Sequence, residues 1–403
     1  MNEKKLGLGN VVSISVGLVV ATSCLVSLGN GAGTLGVTFI LAMAIAMLLN
    51  MTTVASLSEL NALMPNTTGG LAQYTLAALG PFPTLISMVG GYIICNTMSC
   101  GVEASIFSFS LADVVGGHIP SFVYTLIMTV IILLANLRGV DMFAKIQDIV
   151  AFLLVGSLVA MGFIGMIGMG TGVKVQQPYV LNADFKDIAA MTAVAFWLFI
   201  GAEYAIPISK EVKNAKRNVP FGMMIGLFLI FIMQSVMVLG FHNYVDWGEL
   251  ADSAAPHLLY GYAVLGEVGK VWMMLVGALA VISTQNSTVN SLAVICQGMA
   301  KMNMMPKIFS KTNKHNVPWF GGVCKCGNPY IRISERQFRG YDLLPYSGRF
   351  CILDDLVHTC TCGCAGFQKT SSKCTEKFQS AMRCPVSGNR NRRNRIYGPQ
   401  HLQ

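Results

Sequence analysis

The sequence predicts an all-α polytopic membrane protein with about eight transmembrane helices, and three observations predict it. Of the 403 residues, 53% are hydrophobic and only 12% are charged. Ordinary soluble domains carry about 25% charged residues. The charges also leave long gaps. Stretches 6–58, 60–102, 114–137, 149–173, 218–245 and 271–300 contain no Asp, Glu, Lys or Arg. Each can supply the roughly 20 apolar residues a spanning helix needs, and the first is long enough for two. The third observation is the sidedness of the Lys and Arg residues, which fixes an orientation.

The expected spans are 10–28, 36–58, 83–112, 119–137, 147–170, 188–209, 219–242 and 264–300. Gly29-Asn30-Gly31-Ala32-Gly33 is read as the split between the first two. The first apolar stretch lacks a small-residue cleavage site followed by a polar chain, so it is read as a helix and not as a signal peptide. With the N-terminus in the cytoplasm, that side collects Lys4, Lys5, Arg138, Lys145, Lys210, Lys213, Lys216, Arg217, Lys301, Lys307, Lys311 and Lys314. The other side collects Lys174, Lys186 and Lys270, and its loop 244–263 carries Asp246, Glu249 and Asp252. This asymmetry predicts a multi-pass cell-membrane protein with a cytoplasmic N-terminus. The sequon Asn66-Thr67-Thr68 then falls on the inner side, where it is not glycosylated.

The sixth span is interrupted. Residues 188–202 are uncharged, but Gly201, Glu203 and Pro207 follow within seven residues. Gly and Pro free backbone groups, and a carboxylate at this depth is costly unless it faces protein or water. The stretch fits either a kinked structural helix or a broken helix at a binding site. The first span holds a comparable segment, Val19-Val20-Ala21-Thr22-Ser23-Cys24-Leu25, small and polar for a lipid-facing surface. By itself it also suits close helix packing. Ser23 and Gly201 lie 178 residues apart, with five spans per unit, so the second unit would be inverted relative to the first. Paired broken helices in inverted halves point to a transporter site. The third span contains Asn96 and Glu103, and the eighth contains Ser283-Thr284-Gln285-Asn286-Ser287-Thr288-Val289-Asn290-Ser291. Such polar groups either glue helices together or line a cavity.

Several motifs resemble the amino acid–polyamine–organocation permeases. They are Phe199-Ile200-Gly201-Ala202-Glu203, then Ser209-Lys210-Glu211-Val212-Lys213-Asn214-Ala215 and Arg217-Asn218-Val219-Pro220. Also matching are Glu59-Leu60 with Pro65, Gly69-Gly70 and Tyr74; Asn136-Leu137-Arg138-Gly139-Val140 with Lys145 and Gln147; and Met299-Ala300-Lys301 with Pro306, Phe309 and Pro318. The chain departs from the family at Ala215, Val219, Ala72 and Val294, and has one extra residue after Pro65.

The resemblance implies a leucine-transporter-like fold of two inverted five-helix repeats, here incomplete, and secondary active transport of an amino acid or related amine. It implies that the substrate carboxylate meets Ala21, Thr22 and Ser23, where the family has G-S-G. The amino group would meet carbonyls at Phe199, Ile200 and Gly201, with Asn96 lining the pocket. Glu203 would steady the broken helix or couple protons. Glu103 reads as a structural partner or a proton-coupling group. Ser283, Thr284, Ser287 and Thr288 would hold a sodium ion, as hydroxyls do in sodium-coupled relatives of this fold. The fifth span has no Lys of the kind some proton-coupled members use, which leans toward Na+ over H+. No cofactor, metal or nucleic acid is expected; the partners are a small-molecule substrate and the bilayer.

The resemblance covers 6–320, so 1–320 is read as a permease domain and 321–403 as a separate tail. The first segment has a net charge of +1 and the tail +8, and the tail holds eight of the 12 cysteines. It has no apolar run long enough to span. It reads as unstructured or frameshift-derived. Cys324 and Cys326, with Cys360, Cys362 and Cys364, lack the usual zinc spacing. Family members continue with four more helices, so the expectation is a chain unstable or inactive on its own. The alternative function is a non-transporting, partner-binding membrane fragment. An enzyme is not expected, since H-E-x-x-H and G-x-S-x-G are absent.

Overall fold

A computed structural model describes residues 6–64, 69–115, 121–179 and 184–319. The Asn66 sequon and the tail from 321 lie outside these residues. The described part is built from helices; its one strand-like pairing is an isolated bridge between Leu6 and Val212.

The first expected span is two helices, α1 (Leu8–Val19) and α2 (Thr22–Leu35), bent by 64°. The break falls at Val20 and Ala21. The Gly29–Gly33 segment, expected to separate two spans, instead lies inside α2. Its glycines face close neighbours, Phe39 against Gly31 and the backbone of Ala251 against Gly33, so they serve packing and not chain reversal. The chain turns at Gly36, whose φ is +61°.

Next come α3 (Phe39–Leu63), α4 (Leu71–Leu79), and a rod formed by α5 (Pro81–Leu85), a π stretch (Ile86–Ile94) and α6 (Cys95–Val115). Gly69 and Gly70 have φ of +87° and +42°, and lead into α4 as the expected re-entry turn. Then follow α7 (Ser121–Asn136), α8 (Val140–Met166), α9 (Phe185–Trp197), α10 (Ala215–Tyr244), α11 (Trp247–Asp252) and α12 (Pro256–Lys301).

Among the described residues six helical segments are long and apolar enough to cross a membrane, or seven with the bent α1–α2 pair as one span. The fourth expected span, 119–137, is α7, whose 16 residues fall short of that length. Helix α12 kinks at Leu265 and Gly266. Its first part and α11 were missed in the sequence, because these short pieces lie in the polar loop after α10.

Helix α1 packs against α8, α10 and α12 and has no charged residue. Leu6 joins it to the segment after the sixth span: Leu6 N donates to Glu211 O (2.7 Å), and Lys213 N donates to Leu6 O (2.9 Å). Asn10 donates to Asp148 of α8 nearby. Lys210, in the same segment, has its ammonium pKa pushed below the usual lysine range by partial burial and by the charge of Lys301, against the opposing pull of Glu211.

Candidate functional site at two helix breaks

At the first break Val20 (φ −83°, ψ 77°) leaves the helix and Ala21 (φ −93°, ψ 166°) is extended. Ala21 O accepts from Cys24 N (3.1 Å) and Leu25 N (3.3 Å). The N–H groups of Thr22 and Ser23, at the very start of α2, have no acceptor within the helix, and the Ala21 methyl cannot cap them. Glu103, from the middle of α6, takes that place. Its Oε1 and Oε2 lie 3.2 and 3.1 Å from Ser23 N, and Thr22 Oγ1 donates to Oε2 at 2.5 Å. Glu103 is 3% exposed.

Near Thr22 stands His257, from the first turn of α12. A Cβ built on Gly277 would lie 3.5 Å from Thr22 Cγ2 and 3.7 Å from His257 Nε2. His257 is 1% exposed, and neither ring nitrogen has a hydrogen-bond partner.

The second break follows α9. Leu198, Phe199 and Ile200 form a turn, and Gly201 takes φ +125°. Few residues but glycine adopt that conformation, and a Cβ there would lie 2.6 Å from Leu18 Cδ2. Glu203, two residues on, accepts from Gly201 N at 3.0 Å. A single 3-10 turn, Ala202–Ala205, follows, so the span expected over 188–209 leaves the α-helix after Trp197. Ser291 Oγ of α12 donates to Tyr204 O (3.1 Å), and the rings of Tyr92 and Tyr204 lie 5.6 Å apart.

The two breaks meet. Gly201 packs against Leu18 and Val19, just before the first bend, and Trp197 Nε1 reaches Ser23 Oγ at 3.4 Å. Ala21, Thr22, Ser23, Phe199, Ile200, Gly201, Glu103 and Glu203 are thus brought to one region. Phe199 is buried, whereas the side chain of Ile200 is exposed. Asn96 lies on α6 two turns from Glu103, and its amide donates to Tyr92 O at 2.8 Å on its own helix.

Ser283, Thr284, Ser287 and Thr288 are all buried on α12. Ser283 Oγ accepts from Gln147 Nε2 (2.7 Å), and Thr288 Oγ1 donates to Thr284 O (2.6 Å). The hydroxyls of Thr284 and Ser287 have no partner. Gln147 of α8 also reaches Ser13 O (3.3 Å), and accepts from Asn286 Nδ2 (3.0 Å). Asn286 Oδ1 in turn accepts from Asn136 of α7 at 2.8 Å. A Cβ on Gly17 would lie 1.5 Å from the Gln147 amide, so only glycine lets α1 approach this network.

Gln147, His257 and Trp197 were not singled out as site residues in the sequence. Gln147 carries a usable signal, a lone amide at the edge of an apolar run. His257 and Trp197 carry none, since their neighbours come from helices distant in sequence.

Three comparisons bear on this arrangement. A family model described as "Amino acid permease" matches residues 10–328. The chain is 27% identical over 243 residues to the L-methionine/branched-chain amino acid exporter YjeH of Escherichia coli, covering 58% of this chain and 56% of that protein. It is 26% identical over 262 residues to the E. coli putrescine transporter PotE, covering 62% and 57%. The chain thus spans a little over half the length of these relatives. Among solved structures, a Na+-coupled sialic acid symporter aligns with a TM-score of 0.56 at 9% identity, over 83% of this chain and 74% of that one. A manganese transporter of Eremococcus coleocola aligns with a TM-score of 0.55 at 14% identity, over 82% and 72%. These neighbours share the leucine-transporter-like fold.

Proposed function

The chain belongs to the amino acid permease family, a family of membrane transporters, and from that premise we propose that it moves an amino acid or related amine across the cell membrane by alternating access. One observation carries the reading: two broken helices from different parts of the chain abut, at Gly201 against Leu18 and Val19. Broken helices offer unpaired backbone groups to a small polar solute where hydrocarbon would otherwise forbid them. The substrate would sit between Ala21–Thr22–Ser23 and Phe199–Ile200–Gly201, near Asn96.

The reading includes ion coupling, through H+ or Na+. The unpartnered hydroxyls of Thr284 and Ser287 support a cation between α12 and α1. Ser283 supports it less, because the Gln147 amide already uses its oxygen. The N-terminus lies in the cytoplasm on this reading, as the Lys/Arg asymmetry favours. The protein is a transporter and has no catalytic role.

Uptake into proteoliposomes containing the 403-residue chain tests the proposal. Accumulation of a labelled amino acid or amine under an imposed Na+ or H+ gradient is expected. Protein that inserts yet accumulates neither would overturn the proposal in favour of a non-transporting membrane component.

A further inference from the structure

The first break is already occupied. A substrate carboxylate docking at the start of α2 would need the Ser23 N–H and the Thr22 hydroxyl, and both donate to Glu103. The Trp197 indole N–H, the next donor along, is directed to Ser23 Oγ. What remains around the bend is two carboxylates that accept and one neutral imidazole, with one accepting and one donating nitrogen. Glu103 brings a carboxylate, His257 brings an imidazole with neither nitrogen bonded, and Glu203 brings a second carboxylate on the opposing break.

The partners of these carboxylates are Thr22 and Ser23 for Glu103 and Gly201 for Glu203, none of them a cation. Residues 6–58 and 60–102 hold no Lys or Arg, and the nearest on the sequence to Glu103 is Arg138. A buried carboxylate without a cation is expensive, and a cationic ligand removes that cost. A zwitterion would bring a second anion to the same helix end, where like charges repel.

We infer that Glu103 stands where a zwitterionic substrate would place its own carboxylate, and that the substrate is an amine without a carboxyl group. Its ammonium is held by Glu103, with His257 as a further acceptor beside Thr22. The bound pair reproduces in two molecules what an amino acid carries in one. The inference rests on the transporter reading above and narrows it to one substrate class.

The test compares ligands that differ only by the carboxylate: cadaverine with lysine, and isoamylamine with leucine. Equilibrium binding of labelled compounds to the full chain in detergent is the measurement. The amine of at least one pair binds, and its amino acid binds at least about 30-fold more weakly, the scale for an unpaired or repelled buried charge. In Glu103→Gln, which keeps an acceptor for Thr22 and Ser23, the amine weakens by about the same factor and the preference for the amine collapses. Wild-type protein that binds the amino acid as tightly as the amine overturns the inference and leaves the transporter reading standing. Protein that binds neither member of either pair, and takes up no substrate in proteoliposomes, overturns both. The wild-type comparison decides the matter even if Glu103→Gln fails to fold.

Discussion

At the bend between α1 and α2 the freed backbone N–H is capped by a carboxylate 80 residues away in sequence, on α6. At the break after α9 the cap comes from Glu203, two residues from the N–H it serves. The two breaks look alike in sequence, each small and polar within an apolar run, but they are held differently. A cap supplied within one segment moves with that segment. A cap supplied by another helix ties the bend to that helix, and loosens whenever the two separate or a ligand competes for the carboxylate. The first break is therefore the one whose geometry depends on helix movement and on what is bound.

The largest effect expected from this difference separates the two carboxylates. Glu103→Ala lowers substrate uptake about 30-fold, whereas Glu203→Ala, which removes one local cap, lowers it about 5-fold, on the scale of a lost charged partner against a lost helix cap. Equal losses in a proteoliposome assay would break the comparison.

Gly201→Ala comes next. It forces an L-residue to φ +125° and drives Cβ to 2.6 Å from Leu18. Together, strain and overpacking cost about 2 kcal/mol in detergent unfolding. The double variant with Leu18→Ala recovers the packing part only, which sharpens the assignment of this break to α1.

Gln147→Leu is expected to cost about 1.5 kcal/mol, because Ser283 and Asn286 lose the amide that joins α8 to α12. A variant as stable as wild type would show that the network is dispensable. The smallest change is Trp197→Phe, about 0.5 kcal/mol, for its long 3.4 Å bond to Ser23. A larger loss would mean that the breaks are held together mainly by this indole.

Much of the fold was legible because hydrocarbon imposes a one-dimensional rule. A span must be apolar, and its backbone must satisfy itself, so runs without charge read as helices. The breaks at Ala21 and Gly201 were legible for the same reason: small, polar or positive-φ residues violate that rule locally. Boundaries were less so. Gly29–Gly33 looks like a turn, but in the tertiary structure these glycines admit Phe39, Ala251 and Pro256 at close range. A glycine that packs and a glycine that turns are the same letter.

By itself, then, the sequence determined the helical membrane class, the sidedness of its charges, the two interruptions, and Glu103 and Glu203 as carboxylates at depth. Composition and spacing act along the chain, and these are properties of single segments. Only the tertiary structure decided which partner each polar group met. Glu103 went to Thr22 and Ser23, Gln147 to Ser283, Trp197 to Ser23, and His257 was left without a partner beside Thr22. Those pairings depend on how helices distant in sequence pack, and a buried polar group takes the donors that packing brings within reach.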